Sequence, residues 1–94
     1  MENNITINIP KNFIVDEVAM FRTKINKLMQ EGYKNFVFNF NECEFIDSTG
    51  LEALVSIYKK CAEKGGNIEL KLLKPEVEKL FKLTRLDKVF KICP

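Results

Sequence analysis

The chain contains no histidine, and that absence removes a large share of enzyme chemistry. Imidazole-based zinc sites, Cys/His dyads and Ser/His/Asp triads all need that ring as ligand or proton acceptor. Cysteine is scarce as well. Cys43, Cys61 and Cys93 stand in no metal-like or redox-like spacing, and their odd number argues against a disulfide framework. No apolar run approaches the ~20 residues that span a bilayer. The opening Met1-Glu2-Asn3-Asn4 also lacks the basic-then-apolar pattern of a signal peptide. The expectation is a cytoplasmic protein with no direct membrane insertion. Net charge is nearly missing too: +2 is too weak to argue for nucleic acid as a partner.

What remains is an ordinary globular composition, 46% hydrophobic and 30% charged, which excludes a disordered chain. At this length folding buries only somewhat more than ~60% of the unfolded surface, so residues 1–94 are expected to form a single domain around one core. Lysine and arginine gather late, from Lys71 to Lys91, but Glu69, Glu76, Glu78 and Asp87 are interspersed among them. That mixture reads as a solvated face, with a docking surface for an acidic partner as the alternative. No repeat, low-complexity segment or linker interrupts the chain.

Hydrophobic periodicity divides the sequence into alternating elements. Ile5, Ile7 and Ile9 alternate with polar residues as in a strand, and Pro10-Lys11-Asn12 breaks the run. Val18, Phe21, Ile25, Leu28 and Met29 recur at helical spacing, with Asp16 as the expected cap and Gly32 as the end. Phe36 to Phe40 reads as a second strand. Leu51, Leu54, Val55, Tyr58, Cys61 and Ala62 form a second helical stripe closed by Gly65-Gly66. Ile68, Leu70 and Leu72 give a third strand. Pro75 opens a short helix bearing Val77, Leu80 and Phe81, and Val89 to Ile92 gives a last strand. The order β-α-β-α-β-α-β, with connections too long for hairpins, implies parallel strands joined by right-handed crossovers. Because two of the strands alternate apolar with polar residues, the helices are expected mainly on one face of the sheet.

The densest chemistry lies between the second strand and second helix, in Phe45-Ile46-Asp47-Ser48-Thr49-Gly50-Leu51-Glu52. Asp47, Ser48 and Thr49 are all good N-caps, and Thr49 with Glu52 satisfies the capping-box spacing. Gly50 serves either a close backbone approach or the turn itself. On capping chemistry alone, this is a well-capped helix start. A hydrolase is disfavoured because no base stands ready for Ser48. A phospho-accepting aspartate at Asp47 is disfavoured because the first strand ends in Pro10-Lys11-Asn12, not the acidic pair that would hold a divalent cation. Gly65-Gly66 lacks the lysine and hydroxyl residue of a phosphate loop.

Taken together, these features resemble the STAS family, small domains named for sulfate transporters and anti-sigma factor antagonists. The resemblance runs from about Ile5 to Phe90. It rests on Phe36-Val37-Phe38-Asn39-Phe40, the Asp47-Ser48-Thr49-Gly50 motif, Tyr58, Lys64-Gly65-Gly66-Asn67, Lys74-Pro75-Glu76-Val77 and Leu83-Thr84-Arg85-Leu86-Asp87-Lys88-Val89-Phe90. It implies an α/β fold with a small, mostly parallel or mixed sheet of about four strands and helices mainly on one face. It also implies a non-enzymatic binding module without cofactor or metal. In the family's antagonists, the serine after the aspartate is phosphorylated by an anti-sigma factor that is also a serine kinase, and a serine phosphatase resets the cycle. Carried onto this chain, Ser48 is the phospho-acceptor, and Asp47, Ser48, Thr49, Gly50, Leu51 and Glu52 form the partner-binding loop.

The chain departs from the family pattern at several places. There is scarcely room for an extra strand before Ile5, and the stretch after Cys93 is short for a final helix. Lys11 and Ile14 stand where a glycine and an acidic residue are common, and Arg85 stands where a glycine is usual. The alternative role is a STAS-type scaffold or accessory subunit of a transporter or stressosome-like assembly. A missing edge strand leaves backbone groups unpaired, so the expected state is a monomer or a weak edge-to-edge dimer.

Overall fold

The computed structural model describes residues 4–93. The elements follow the hydrophobic periods closely: β1 (Asn4–Asn8), β2 (Asn12–Phe13), α1 (Val15–Gln30), β3 (Asn35–Asn39), β4 (Phe45–Ile46), α2 (Ser48–Glu63), β5 (Asn67–Lys71), α3 (Pro75–Leu83), a 3-10 turn (Leu86–Lys88) and β6 (Lys91–Cys93). The main sheet has the order β1-β3-β5-β6, and every neighbouring pair is parallel. Phe36 stands between Ile5 and Ile68 in register, and Phe38 between Ile7 and Leu70. A one-residue slip would turn these side chains away from the core, so burial fixes the register.

The strands send their larger apolar side chains to one face. Ile7, Ile9, Phe36, Phe38, Phe40, Ile68 and Leu70 are buried there against Val18, Phe21, Ile25, Leu54, Ile57 and Phe81 from the helices. The opposite face carries Asn4, Thr6, Asn8, Asn67 and Lys71, all exposed, and half-buried Asn35, Val37, Asn39 and Glu69. Edge-to-face rings tie the layers together, Phe21 standing 5.0 Å from Phe13 and 5.2 Å from Phe38 between centroids. Such pairs add about 0.5–1.5 kcal/mol each beyond their burial.

Several local expectations are corrected. Asp16 does not cap α1: Ile14 occupies that position without a side-chain bond, and Asp16 lies in the first turn, where its charge favours the helix dipole. Leu72 lies outside β5 with φ 59°, and the last strand begins at Lys91 because residues 86–88 form a 3-10 turn. The apolar stripe of α2 includes Ala53 and Ile57, whereas Ala62 is exposed. The segment after Pro10 does not remain a loop. Asn12 and Phe13 pair in parallel with Phe45 and Ile46, forming a separate two-stranded ladder. Two-residue strands leave no periodic trace in a sequence, since their ladder depends on a segment more than thirty positions away.

Candidate functional site

The small β2–β4 ladder places the Asp47–Glu52 motif. Phe13 is fully buried against Phe21, so the ladder is anchored in the core and carries the N-terminus of α2 with it. Gly50 lies in the first turn of that helix, facing Phe13 and Ile46. A β-carbon on Gly50 would stand 2.7 Å from the Phe13 carbonyl oxygen and 2.8 Å from Ile46 Cγ1. Of the two roles open for this glycine, the close approach is therefore the operative one.

Asp47 is the N-cap of α2, and its Oδ1 accepts from the Gly50 amide at 2.9 Å. The Thr49–Glu52 capping box does not form, because Thr49 already lies inside the helix, half-buried at its second position. Asp47 wins because its extended backbone (φ −104°, ψ −175°) aims the carboxylate at the third amide of the turn. Among the described residues, no protein group accepts from the amides of Ser48 and Thr49. They add to the positive end of the helix dipole.

Ser48 is exposed at the first position of α2, and Glu52 is exposed one turn later; Leu51 points inward. Ser48, Leu51, Glu52 and Val55 line a shallow groove of about 330 Å³ together with Thr84 and Leu86 from the segment after α3. A larger groove of about 660 Å³ opens beside it, lined by Glu44, Phe45, Ile46, Lys74, Glu76, Val77 and Leu80. Phe45 is 63% exposed and Ile14 41%, so apolar surface borders the motif from β4 and from the end of β2. Thr84, Leu86, Ile14 and Phe45 were not among the expected site residues. Only the last two carried a signal, Phe45 as an apolar residue just before the motif and Ile14 as a departure from the family pattern.

Among the described residues no polar or charged side chain is buried, and no cluster of Cys, Asp and Glu is spaced to hold a metal. The sheet order has no reversal, so it lacks the switch-point crevice where open α/β sheets hold ligands. Burial pushes the Cys43 and Cys61 thiols up to about 11, which leaves little thiolate at neutral pH. Among the described residues, no helix is long and apolar enough to cross a membrane.

Comparison with known proteins places this geometry. The family model of the STAS domain matches residues 2–94. The chain belongs to the STAS domain family. It is 29% identical over 91 residues to the anti-sigma-B factor antagonist of Bacillus subtilis, covering 97% of this chain and 83% of that protein. Among solved structures, the unphosphorylated form of the anti-sigma factor antagonist SpoIIAA matches this STAS domain with a TM-score of 0.86 at 20% identity, covering 100% and 83% of the two chains. The phosphorylated form of the Bacillus cell fate determinant SpoIIAA matches with a TM-score of 0.78 at 19% identity, covering 100% and 86%. A STAS domain protein from Planctomyces limnophilus gives 0.81 at 22% identity, covering 93% and 79%. These structures share the α/β fold of this chain.

Proposed function

We propose that this chain is an anti-sigma factor antagonist, a cytoplasmic regulatory binding protein and not an enzyme, switched by phosphorylation of Ser48. The unphosphorylated form binds an anti-sigma factor with serine kinase activity; phosphorylation at Ser48 by that partner ends the contact, and a serine phosphatase restores it. Asp47, Ser48, Thr49, Gly50, Leu51 and Glu52 form the switch segment. The observation that carries this reading is the exposed Ser48 hydroxyl at the head of α2, bordered by an apolar groove and by exposed Phe45 and Ile14.

The energetics suit a switch. A phosphate on Ser48 adds about −1.5 to −2 charges, and a helix N-terminus stabilises an anion by roughly 0.3–1 kcal/mol. The neighbouring Asp47 carboxylate opposes it by about 1 kcal/mol at ~5 Å in water. These effects nearly cancel in the free domain, so the fold tolerates the modification. Within an interface the same dianion loses its water, which costs several kcal/mol when no cation meets it. Phosphorylation therefore alters binding much more than folding.

The test is incubation with the cognate anti-sigma kinase and ATP, followed by mass-spectrometric mapping of the phosphate. Modification of Ser48 alone, with loss of binding, is the expected result; modification elsewhere, or an unmodified form that does not bind, overturns the proposal. Ser48→Ala should bind constitutively, and Ser48→Asp more weakly by about two orders of magnitude. Exposed Ile14 beside the motif favours a second reading, a scaffold or accessory subunit of a larger assembly. A pull-down that returns a scaffold or transporter component in place of a kinase would select it.

A further inference from the structure

We propose that the protein forms a two-fold homodimer through the outer flank of α1, with Met20 at its centre and Glu17 of each copy facing Lys24 of the other. The proposal uses residues remote from the motif in sequence and does not rest on the Ser48 reading. One side of α1 is buried in the core through Val18, Phe21, Ile25 and Met29. A second flank meets α2, where Lys60 Nζ donates to Asn26 Oδ1 at 3.1 Å. With about 100° between successive residues, Glu17, Met20 and Lys24 fall within about 60° of one another, on the side away from Asn26. With Pro10 and Phe21, these three residues line a shallow groove of about 410 Å³.

Two observations identify a second copy as the occupant. Met20 is 71% exposed, an apolar side chain in the middle of an otherwise polar stripe. The charges around it are ordered by sign along the helix: Asp16 and Glu17 come before it, and Lys24 and Lys27 after it. Glu17 and Lys24 are both exposed, and neither takes part in an ion pair among the described residues. They lie three residues before and four after Met20, so an antiparallel copy related by a two-fold axis near Met20 brings each acid to a base. The surface is thus its own complement, as an isologous interface requires. A parallel copy would set like charges together. Antiparallel helices also align their dipoles favourably. A contact between two helices falls below the ~1,200 Å² typical of stable complexes, so dimerisation belongs to protein concentrations on the order of 0.1 mM.

Sedimentation velocity over a concentration series tests this directly. The wild-type chain should shift from monomer to dimer, and added salt should weaken the shift. Glu17→Lys or Lys24→Glu alone should each raise the dissociation constant by about tenfold through like-charge contacts. Mixing the two variants in equal amounts should restore the dimer, because both cross-pairs regain opposite charges. Circular dichroism confirms that each variant is folded. A chain that stays monomeric throughout, a dimer insensitive to both reversals, or a mixture that fails to associate overturns the proposal. Ser48→Asp leaves dimerisation unchanged, so a failed kinase experiment and a failed mixing experiment are separate results.

Discussion

Gly50 and Phe13 are held so close that the smallest side chain on Gly50 would stand 2.7 Å from the Phe13 carbonyl oxygen. This contact joins the first turn of α2 to β2, and it gives the motif glycine a packing reason for being there. Helix propensity alone says that alanine at this position should stabilise the protein by about 1 kcal/mol. The contact says the reverse, because the obstacle is backbone in a packed core. Gly50→Ala should destabilise by about 1–3 kcal/mol in urea unfolding. A stabilised variant would show that the two segments separate readily.

The cap on α2 can be divided into hydrogen bond and charge. Asp47→Ala removes the acceptor for the Gly50 amide and should cost about 1 kcal/mol. Asp47→Asn keeps the acceptor and gives up only the charge–dipole attraction, a loss of about 0.3–1 kcal/mol. Equal losses in the two variants, measured by chemical denaturation, would mean that the bond contributes nothing.

Ser48 should be nearly silent in stability. Its side chain is exposed and makes no hydrogen bond among the described residues. Ser48→Ala is expected to stay within about 0.5 kcal/mol of wild type in thermal unfolding. A larger loss would assign the hydroxyl a structural task.

Arg85 adopts φ 63°, a left-handed conformation that costs a side-chain-bearing residue about 1–2 kcal/mol. Glycine relieves this strain but loses more entropy on folding. Arg85→Gly should therefore stabilise the domain by about 0.5–1 kcal/mol, readable as a raised denaturation midpoint.

The buried thiols predict sensitivity to alkali. Desolvation raises Cys43 and Cys61 from 9.0 to about 11, so the folded state favours the neutral thiol more than the unfolded state does. The resulting stability is fully present below pH 9 and is lost as pH rises toward about 11, by about 1–3 kcal/mol for each thiol. In a thiol-reagent assay at neutral pH, half-buried Cys93 should react first, and Cys43 and Cys61 only on unfolding.

Local sequence was sufficient for the main elements and their parallel order, because helical and strand periods are written within a few neighbouring residues. The faces of β1, β3 and β5, the ends of α1 and α2 at Gly32 and Gly65, and the position of Ser48 where a strand gives way to a helix all follow from such short-range patterns. Tertiary structure decided what depends on distant segments meeting. It selected Asp47 over Ser48 and Thr49 as the cap, since the incoming β4 sets the backbone angle. It paired Asn12–Phe13 with Phe45–Ile46, brought Thr84 and Leu86 beside Ser48, and left the Glu17–Met20–Lys24 flank uncovered by α2. Periodicity records which side of an element is apolar. Only packing determines what that side, and the opposite one, will touch.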